Sequence, residues 1–190
     1  MRSHLVEHAT ARDETPALIT HIVQRYHASH RRELDHLITL AEKVEEVHGT
    51  DPNAPHGLTE ALRSISDELE GHIRCEEEIL FPAMISGYSG DIQAPLAAIR
   101  RDHTAHKRTL DRIAAITHGF RLPGGACSLW QALYAGIRKL VADLDEHIFL
   151  ENDILFPRFE QPARRAPGSG AQDADQQGRL LPMPGSKCGT

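Results

Sequence analysis

Residues 72–82 read HIRCEEEILFP, and the pattern returns 75 positions later as HIFLENDILFP at residues 147–157. Seven of the eleven positions are identical, including the histidine, the glutamate four residues after it and the closing Ile-Leu-Phe-Pro. On a helix, the i,i+4 spacing places His72 with Glu76, and His147 with Glu151, on one face about one turn apart. Polar groups on otherwise apolar faces are costly to bury without partners. The repeat therefore predicts two helices that carry paired metal ligands.

A second pair of segments repeats at an offset of 76 residues: HASHRREL at 27–34 returns as HTAHKRTL at 103–110. The two repeats together supply four imidazoles and two carboxylates: His27, His72, His103, His147, Glu76 and Glu151. One zinc ion needs only about four ligands, so six ligands in two equal halves suit two metal ions that share carboxylates. Imidazole with carboxylate fits iron, manganese or zinc. The symmetric dinuclear arrangement favours iron.

Any single histidine on a helix face is more often a structural residue than a ligand, and only the repetition in register favours metal binding. His30 and His106, one turn beyond His27 and His103, are interpreted as structural or supporting residues, with a role as an extra ligand left open. Acids one turn before the ligand histidines, Glu68 and Asp143, are candidates to accept the remaining imidazole N–H.

Other polar and aromatic residues receive simpler interpretations. Cys75 is predicted to fill the core, with a role beside the metals left open, and Tyr26, Trp130 and Tyr134 are assigned to core packing. His48 and His56 are predicted to be solvated or to lie in loops.

Composition narrows the class of protein. The chain has 190 residues and a formal charge of −6, which disfavours nucleic-acid binding. Its three cysteines form no CxxC pair, so a disulfide scaffold or zinc ribbon is not expected. No apolar run approaches the ~18 residues that span a bilayer, and no secretory signal is recognisable at the start. We expect a soluble cytoplasmic protein with no membrane or nucleic-acid partner.

Apolar periodicity predicts four helices, at about 15–49, 58–86, 91–118 and 128–160, and no sheet. Thr15-Pro16, Asp91 and Ser128 are the predicted helix starts. Short links favour an all-α, up-down-up-down four-helix bundle, in which the four ligand histidines lie roughly 18 to 20 Å from the same end. Residues 1–14 are predicted to be a flexible N-terminus, 15–160 the di-metal domain, and 161–190 a disordered tail.

These segments resemble the hemerythrin-like (HHE cation-binding) domain, a four-helix bundle with a di-iron centre. RYHASHRREL at 25–34, EEEILFP at 76–82 and LENDILFP at 150–157 are most similar to the di-iron proteins of iron–sulfur cluster repair. The resemblance implies that the four histidines are terminal ligands and that Glu76 and Glu151 bridge two iron ions. Members of that family commonly carry an N-terminal domain with adjacent cysteines, which we expect this chain to lack.

The resemblance implies a function in nitrosative and oxidative stress. The sequence is interpreted as a non-haem di-iron protein, carboxylate- and oxo-bridged, that binds NO in preference to O2 and serves iron–sulfur cluster repair or iron donation to client proteins. An oxygen carrier or sensor of the hemerythrin type is the alternative, and a fifth histidine ligand would favour it. A ferritin-like oxidase is disfavoured, because those sites use more carboxylates. No conventional catalytic residue is assigned.

Overall fold

Four long helices make up most of the part of the chain that the structure describes. The computed structural model describes residues 14–87 and 92–160. The helices are α1 at 14–47, α2 at 58–86, α3 at Gln93–Ile116 and α4 at 128–158. Helix α1 packs against α2 and α4, and α2 also packs against α3. These residues contain no strand. The predicted all-α bundle is confirmed, and each helix presents to its neighbours the apolar face that the sequence pattern predicted.

Three of the four helices depart from α-helical winding, each at one short stretch. A π-helical turn occupies Val23–His27 in α1, ahead of the α-helical part Ala28–Val47. In α2, the turn Glu76–Leu80 separates Leu58–Cys75 from Phe81–Ser86. In α4, the turn Leu150–Leu155 follows Ser128–Phe149 and leads into the 3₁₀ turn Phe156–Arg158. Turns of this kind inside α-helices occur frequently at functional sites.

The buried interior has two apolar clusters with a polar layer between them. One cluster holds residues from 34–44, 58–73, 110–113 and 130–148, among them the fully buried Trp130 and Tyr134. The other cluster holds residues from 19–22, 75–84, 96–99 and 155–156, including Cys75. On every helix the segment between these two sets carries buried histidines or glutamates. We call this set the buried polar layer: His27, His30, His72, Glu76, His103, His106, His147 and Glu151.

Helix starts are the least accurate part of the prediction. Thr15 and Pro16 lie inside the first turn of α1, which is already helical at residue 14. Ser128 is the first residue of α4 rather than its cap, because Cys127 takes the extended conformation (φ −70°, ψ 167°) of an N-cap. The predicted N-terminal tail, 1–14, includes residue 14, which is already helical. Asp91, residues 1–13 and the predicted tail 161–190 lie outside the described residues.

None of the helices in the described ranges has the length and apolar character needed to cross a membrane.

Candidate metal centre

All six predicted ligands meet in the buried polar layer. They form two overlapping groups: one contains His27 and His147, the other contains His72 and His103, and both contain Glu76 and Glu151. Within each group the candidate ligand atoms lie within 4.8 Å of one another. Each of the six residues is at most 3% exposed. The structure therefore brings together two half-sites that share both carboxylates.

Distances within the layer match the edges of a coordination shell. The Nε2 atoms of His27 and His147 are 3.2 Å apart, as are those of His72 and His103. For metal–ligand bonds of about 2.1 Å, two ligands at angles of 90 to 110° lie roughly 3.0 to 3.4 Å apart. The measured spacing is therefore the one that a shared metal ion would impose on each histidine pair.

Each carboxylate reaches both histidine pairs. Glu151 places Oε1 2.9 Å from Nε2 of His147 and Oε2 3.1 Å from Nε2 of His103. Glu76 places one oxygen, Oε2, 3.4 Å from Nε2 of both His27 and His72. Such positions suit carboxylates that bridge two ions.

The tautomer of His27 is fixed by a neighbouring carboxylate. Nδ1 of His27 lies 2.9 Å from Oε1 of Glu77, which also accepts a hydrogen bond from Arg31 at 3.1 Å. A carboxylate paired with arginine only accepts hydrogen bonds, so Nδ1 of His27 carries the proton. In the neutral ring, Nε2 is then the lone pair that faces the layer, as metal binding requires.

The side-chain amide of Asn152 fixes the tautomer of His103 in the same way. Its Nδ1 lies 3.1 Å from Oδ1 of Asn152, and Nη1 of Arg100 donates to the same oxygen at 3.1 Å. Because arginine has no acceptor, this contact identifies the atom as the carbonyl oxygen, and His103 must donate from Nδ1. The remaining nitrogen of His103, Nε2, is directed at the layer, 3.2 Å from Nε2 of His72.

The acids predicted to orient the imidazoles do so at neither position. Glu68 accepts hydrogen bonds from Ser64 and Thr109, and Asp143 pairs with Arg25 and Lys139. The nearest acid to Nδ1 of His72 is instead Asp102, at 3.7 Å. The residues that sequence reasoning missed, Glu77 and Asn152, directly follow the candidate ligands Glu76 and Glu151 in the two copies of the repeat. Their equivalent positions in the repeat are the signal by which the sequence could have identified them.

Aromatic rings cover the histidines on the side of the second apolar cluster. Phe81 stacks on His27 (centroids 5.8 Å apart, planes at 12°), and Phe156 stacks on His103 (6.1 Å, 4°). These phenylalanines are the same residue of the repeated Ile-Leu-Phe-Pro. Tyr26 stacks on His147 (5.4 Å, 6°) and is thus part of the site rather than general core. The rings hold the imidazole planes and exclude water.

Charge in the layer is unbalanced without a cation. Neither oxygen of Glu76 has a hydrogen-bond partner, and burial together with the charge of Glu151 raises its pKa well above the usual value. Burial and the nearby His147 lower the pKa of His27 to about 4, so this ring is neutral at pH 7. Buried carboxylates require compensating charge, and neutral imidazoles with carboxylates form a donor set that binds metal. The residues present fit a metal centre.

His30 and His106 belong to neither candidate ligand group. The ring of His30 lies 5.4 Å from that of His147, and the ring of His106 lies 4.9 Å from that of His72. Both are buried, and both nitrogens of His30 lack a hydrogen-bond partner. Burial, with the neighbouring histidines, lowers the pKa of each to about 3. Both are therefore neutral rings that lie beside candidate ligands, His30 next to His147 and His106 next to His72.

Known sequences resemble most of the chain. The sequence profile described as "Hemerythrin HHE cation binding domain" matches residues 18–159, which include all six candidate ligands. The iron-sulfur cluster repair protein YtfE of Pectobacterium carotovorum subsp. carotovorum (strain PC1) is 43% identical over 141 residues, which are 74% of this chain and 64% of the relative. The protein of the same name from Yersinia pestis (strain Pestoides F) is 44% identical with the same coverage. The matched part is thus less than two thirds of the length of these relatives.

Proposed function

Because this chain belongs to the hemerythrin family of HHE cation-binding domains, we propose that it is a non-haem di-iron protein that binds NO in preference to O2 and acts in iron–sulfur cluster repair. One observation carries the proposal: two histidine pairs share the same two buried carboxylates. A single ion would use four of these ligands and leave the other pair without compensation. Two ions use all six.

In this proposal each residue has a defined task. His27 and His147 would hold one iron and His72 and His103 the other, with Glu76 and Glu151 within reach of both. Bound iron would supply redox chemistry and an open position for a diatomic ligand. Glu77 and Asn152 keep the Nε2 lone pairs of His27 and His103 directed at the metals. Phe81 and Phe156 keep water away from the same rings.

The repair role is supported by the relatives, whose printed name is iron-sulfur cluster repair protein. Iron donation to damaged client proteins is the step that we assign to this chain. Carboxylates hold ferrous iron less firmly than ferric iron, so reduction is expected to favour release from Glu76 and Glu151. If the reduced protein keeps its iron against a mild chelator as firmly as the oxidised protein does, donation is refuted.

Metal content and visible spectra test the site. We expect about two irons per chain, a stable spectral change when NO is added to the anaerobically reduced protein, and loss of both in His72→Ala and His147→Ala. His36→Ala provides the control, because His36 is exposed on α1. One iron per chain, or unchanged iron content in the two variants, would contradict the proposal.

The alternative is reversible binding of O2 by a carrier or sensor of the hemerythrin type. That function is associated with five histidine ligands. The structure groups four histidines with the carboxylates, and His30 and His106 belong to neither group. A reversible spectral change with O2, together with no response to NO, would favour this alternative.

A further inference from the structure

A cysteine and a histidine meet at the end of the bundle formed by the first apolar cluster, away from the buried polar layer. Cys127 is the N-cap of α4, half-buried and with a free thiol. His48 is the C-cap of α1, and its Nε2 lies 3.2 Å from Sγ of Cys127. Twenty residues of helix separate Cys127 from His147, which corresponds to roughly 30 Å. The pair is therefore remote from the candidate metal centre.

The imidazole of His48 is held in place from two sides. Its ring lies against the fully buried Trp130, with centroids 4.9 Å apart. Its backbone is fixed by hydrogen bonds from His48 N to the carbonyl of Val44 and from Asp51 N to the carbonyl of His48, each at 2.9 Å. His48 lies in the turn that follows α1, in agreement with the predicted loop position, but its side chain is a structured partner of the thiol rather than a solvated group. A nucleophile beside a base that is itself positioned is the arrangement of an activated nucleophile.

The surroundings of Cys127 favour its ionised form. A hydrogen bond from His48 lowers the pKa of the Cys127 thiol, and the backbone N–H groups of Trp130 and Leu129 in the first turn of α4 lower it further. The positive end of a helix dipole stabilises a thiolate in this position.

We propose that Cys127 and His48 form a thiolate–imidazolium pair that reacts with small hydroperoxides, giving a site of oxidative modification separate from the metal centre. Sγ of Cys127 attacks one peroxide oxygen, so that an S–O bond forms while the O–O bond breaks. Sulfur loses two electrons and the peroxide gains them. The leaving hydroxide or alkoxide takes the proton from Nε2 of His48. The thiol and the hydroperoxide become a sulfenic acid and water or an alcohol.

The chemistry of Cys127 and His48 together favours a hydroperoxide as the reactant. The thiolate supplies the nucleophile, and the imidazolium supplies the proton that a poor leaving group such as hydroxide requires. Cys127 is half-buried, so part of its surface is exposed to solvent. Cys75 lies in the second apolar cluster, whereas Cys127 packs against the first, so Cys75 is not placed to resolve the product.

Thiol reactivity in the full-length, air-oxidised protein tests the pair. We measure the rate at which uncharged iodoacetamide alkylates Cys127 between pH 5 and 9, using peptide mapping to separate it from the other cysteines. A peptide covering residues 121–138 provides the reference. A free thiol with a pKa near 8.5 is only a few per cent ionised at pH 7, so full ionisation raises the rate about threefold after allowance for the weaker nucleophile.

His48→Gln is expected to remove most of this gain at pH 7 and to move the midpoint of the pH profile upward. His56→Gln is the matched control, because His56 is an exposed loop histidine whose ring hydrogen-bonds the backbone carbonyl of Asp51 rather than Cys127. Thermal unfolding and iron content establish that both variants fold. Peroxide followed by dimedone, which traps sulfenic acids, should label Cys127 in the wild type and label it much less in His48→Gln.

Two results would overturn the proposal. Alkylation of Cys127 no faster than that of the peptide, or unchanged by His48→Gln in a folded protein, would refute the activated pair. Fast alkylation without a dimedone adduct at Cys127 would refute hydroperoxides as the reactant.

Discussion

Replacing Glu77 by glutamine tests how the protein prepares a histidine for metal binding. Glu77 accepts a hydrogen bond from Nδ1 of His27 at 2.9 Å and pairs with Arg31. Glu70 also pairs with Arg31, at 2.8 Å, and is not among the hydrogen-bond partners of His27. Glu77→Gln and Glu70→Gln therefore remove the same charge beside the same arginine. Only the first changes the partner of His27.

The expected loss of affinity follows from this one hydrogen bond. Mutation of residues that orient metal-bound histidines typically lowers affinity 10- to 100-fold, about 1.4 to 2.7 kcal/mol. Glutamine still accepts a hydrogen bond but lacks the charge that roughly doubles its strength. Glu77 is also partly solvated, with 28% of its side chain exposed. We therefore expect about a tenfold weaker affinity for iron in Glu77→Gln and a larger loss in Glu77→Ala.

Glu70→Gln should leave the affinity for iron unchanged, because exposed ion pairs contribute at most about 1 kcal/mol, and only to stability. Competition between each protein and a chelator of known affinity measures the loss, and unfolding of the metal-free variants corrects for changes in stability. An affinity of Glu77→Gln within twofold of the wild type would refute the assigned role of Glu77. An equal loss in Glu70→Gln would assign the effect to Arg31 instead.

Three further predictions concern stability. Gly71→Ala should stabilise the protein by about 1 kcal/mol, because Gly71 is an exposed position inside a helix and an added Cβ would meet open space. Gly136→Ala should leave stability unchanged or lower it, because the added Cβ would lie 2.6 Å from Cδ2 of the buried Leu37. Urea unfolding distinguishes the two, and an equal gain in both would contradict the packing. Burial lowers the pKa of His30 and of His106 to about 3. In the metal-free protein, the burial of these two neutral rings therefore contributes fully to stability above pH 6.5. That contribution is lost as the pH falls toward 3, by about 1.4 kcal/mol per pH unit for each ring. Urea midpoints that stay constant between pH 6.5 and 4.5 would show that these rings are not buried as neutral groups. Removing metal should lower the melting temperature, and restoring it to 1,000 times the dissociation constant should recover about 4 kcal/mol; a melting temperature independent of metal would argue against a site in the folded protein.

Much of the candidate metal centre could be predicted from the sequence, because the spacings that define it lie within single helices. The spacing of His72 and Glu76 is one helical turn, and the apolar residues around them define the buried face. The duplication then indicated which other histidines share the layer. The structure brings these residues together, and the same repeat contained the phenylalanines that stack on two of the rings, although their role was not recognised.

Partners on neighbouring helices could not be read in this way. Glu68 and Asp143 lie one turn before ligand histidines, yet they pair with Thr109 and with Arg25 and Lys139. Glu77 and Asn152 turn toward His27 and His103 from within π-helical turns. One extra residue per turn rotates the following side chains relative to an ideal helix, and no local pattern marks where this happens.

The sequence by itself determined the helices, the apolar faces and the histidines and glutamates of the buried polar layer, because all of these depend on spacing along one helix. Only the tertiary structure decided which nitrogen of each histidine faces the layer, and that His48 meets Cys127 across 79 residues of chain. Those contacts depend on how helices are rotated and packed against one another. Burial and packing fix that rotation, and they exist only once the bundle has formed.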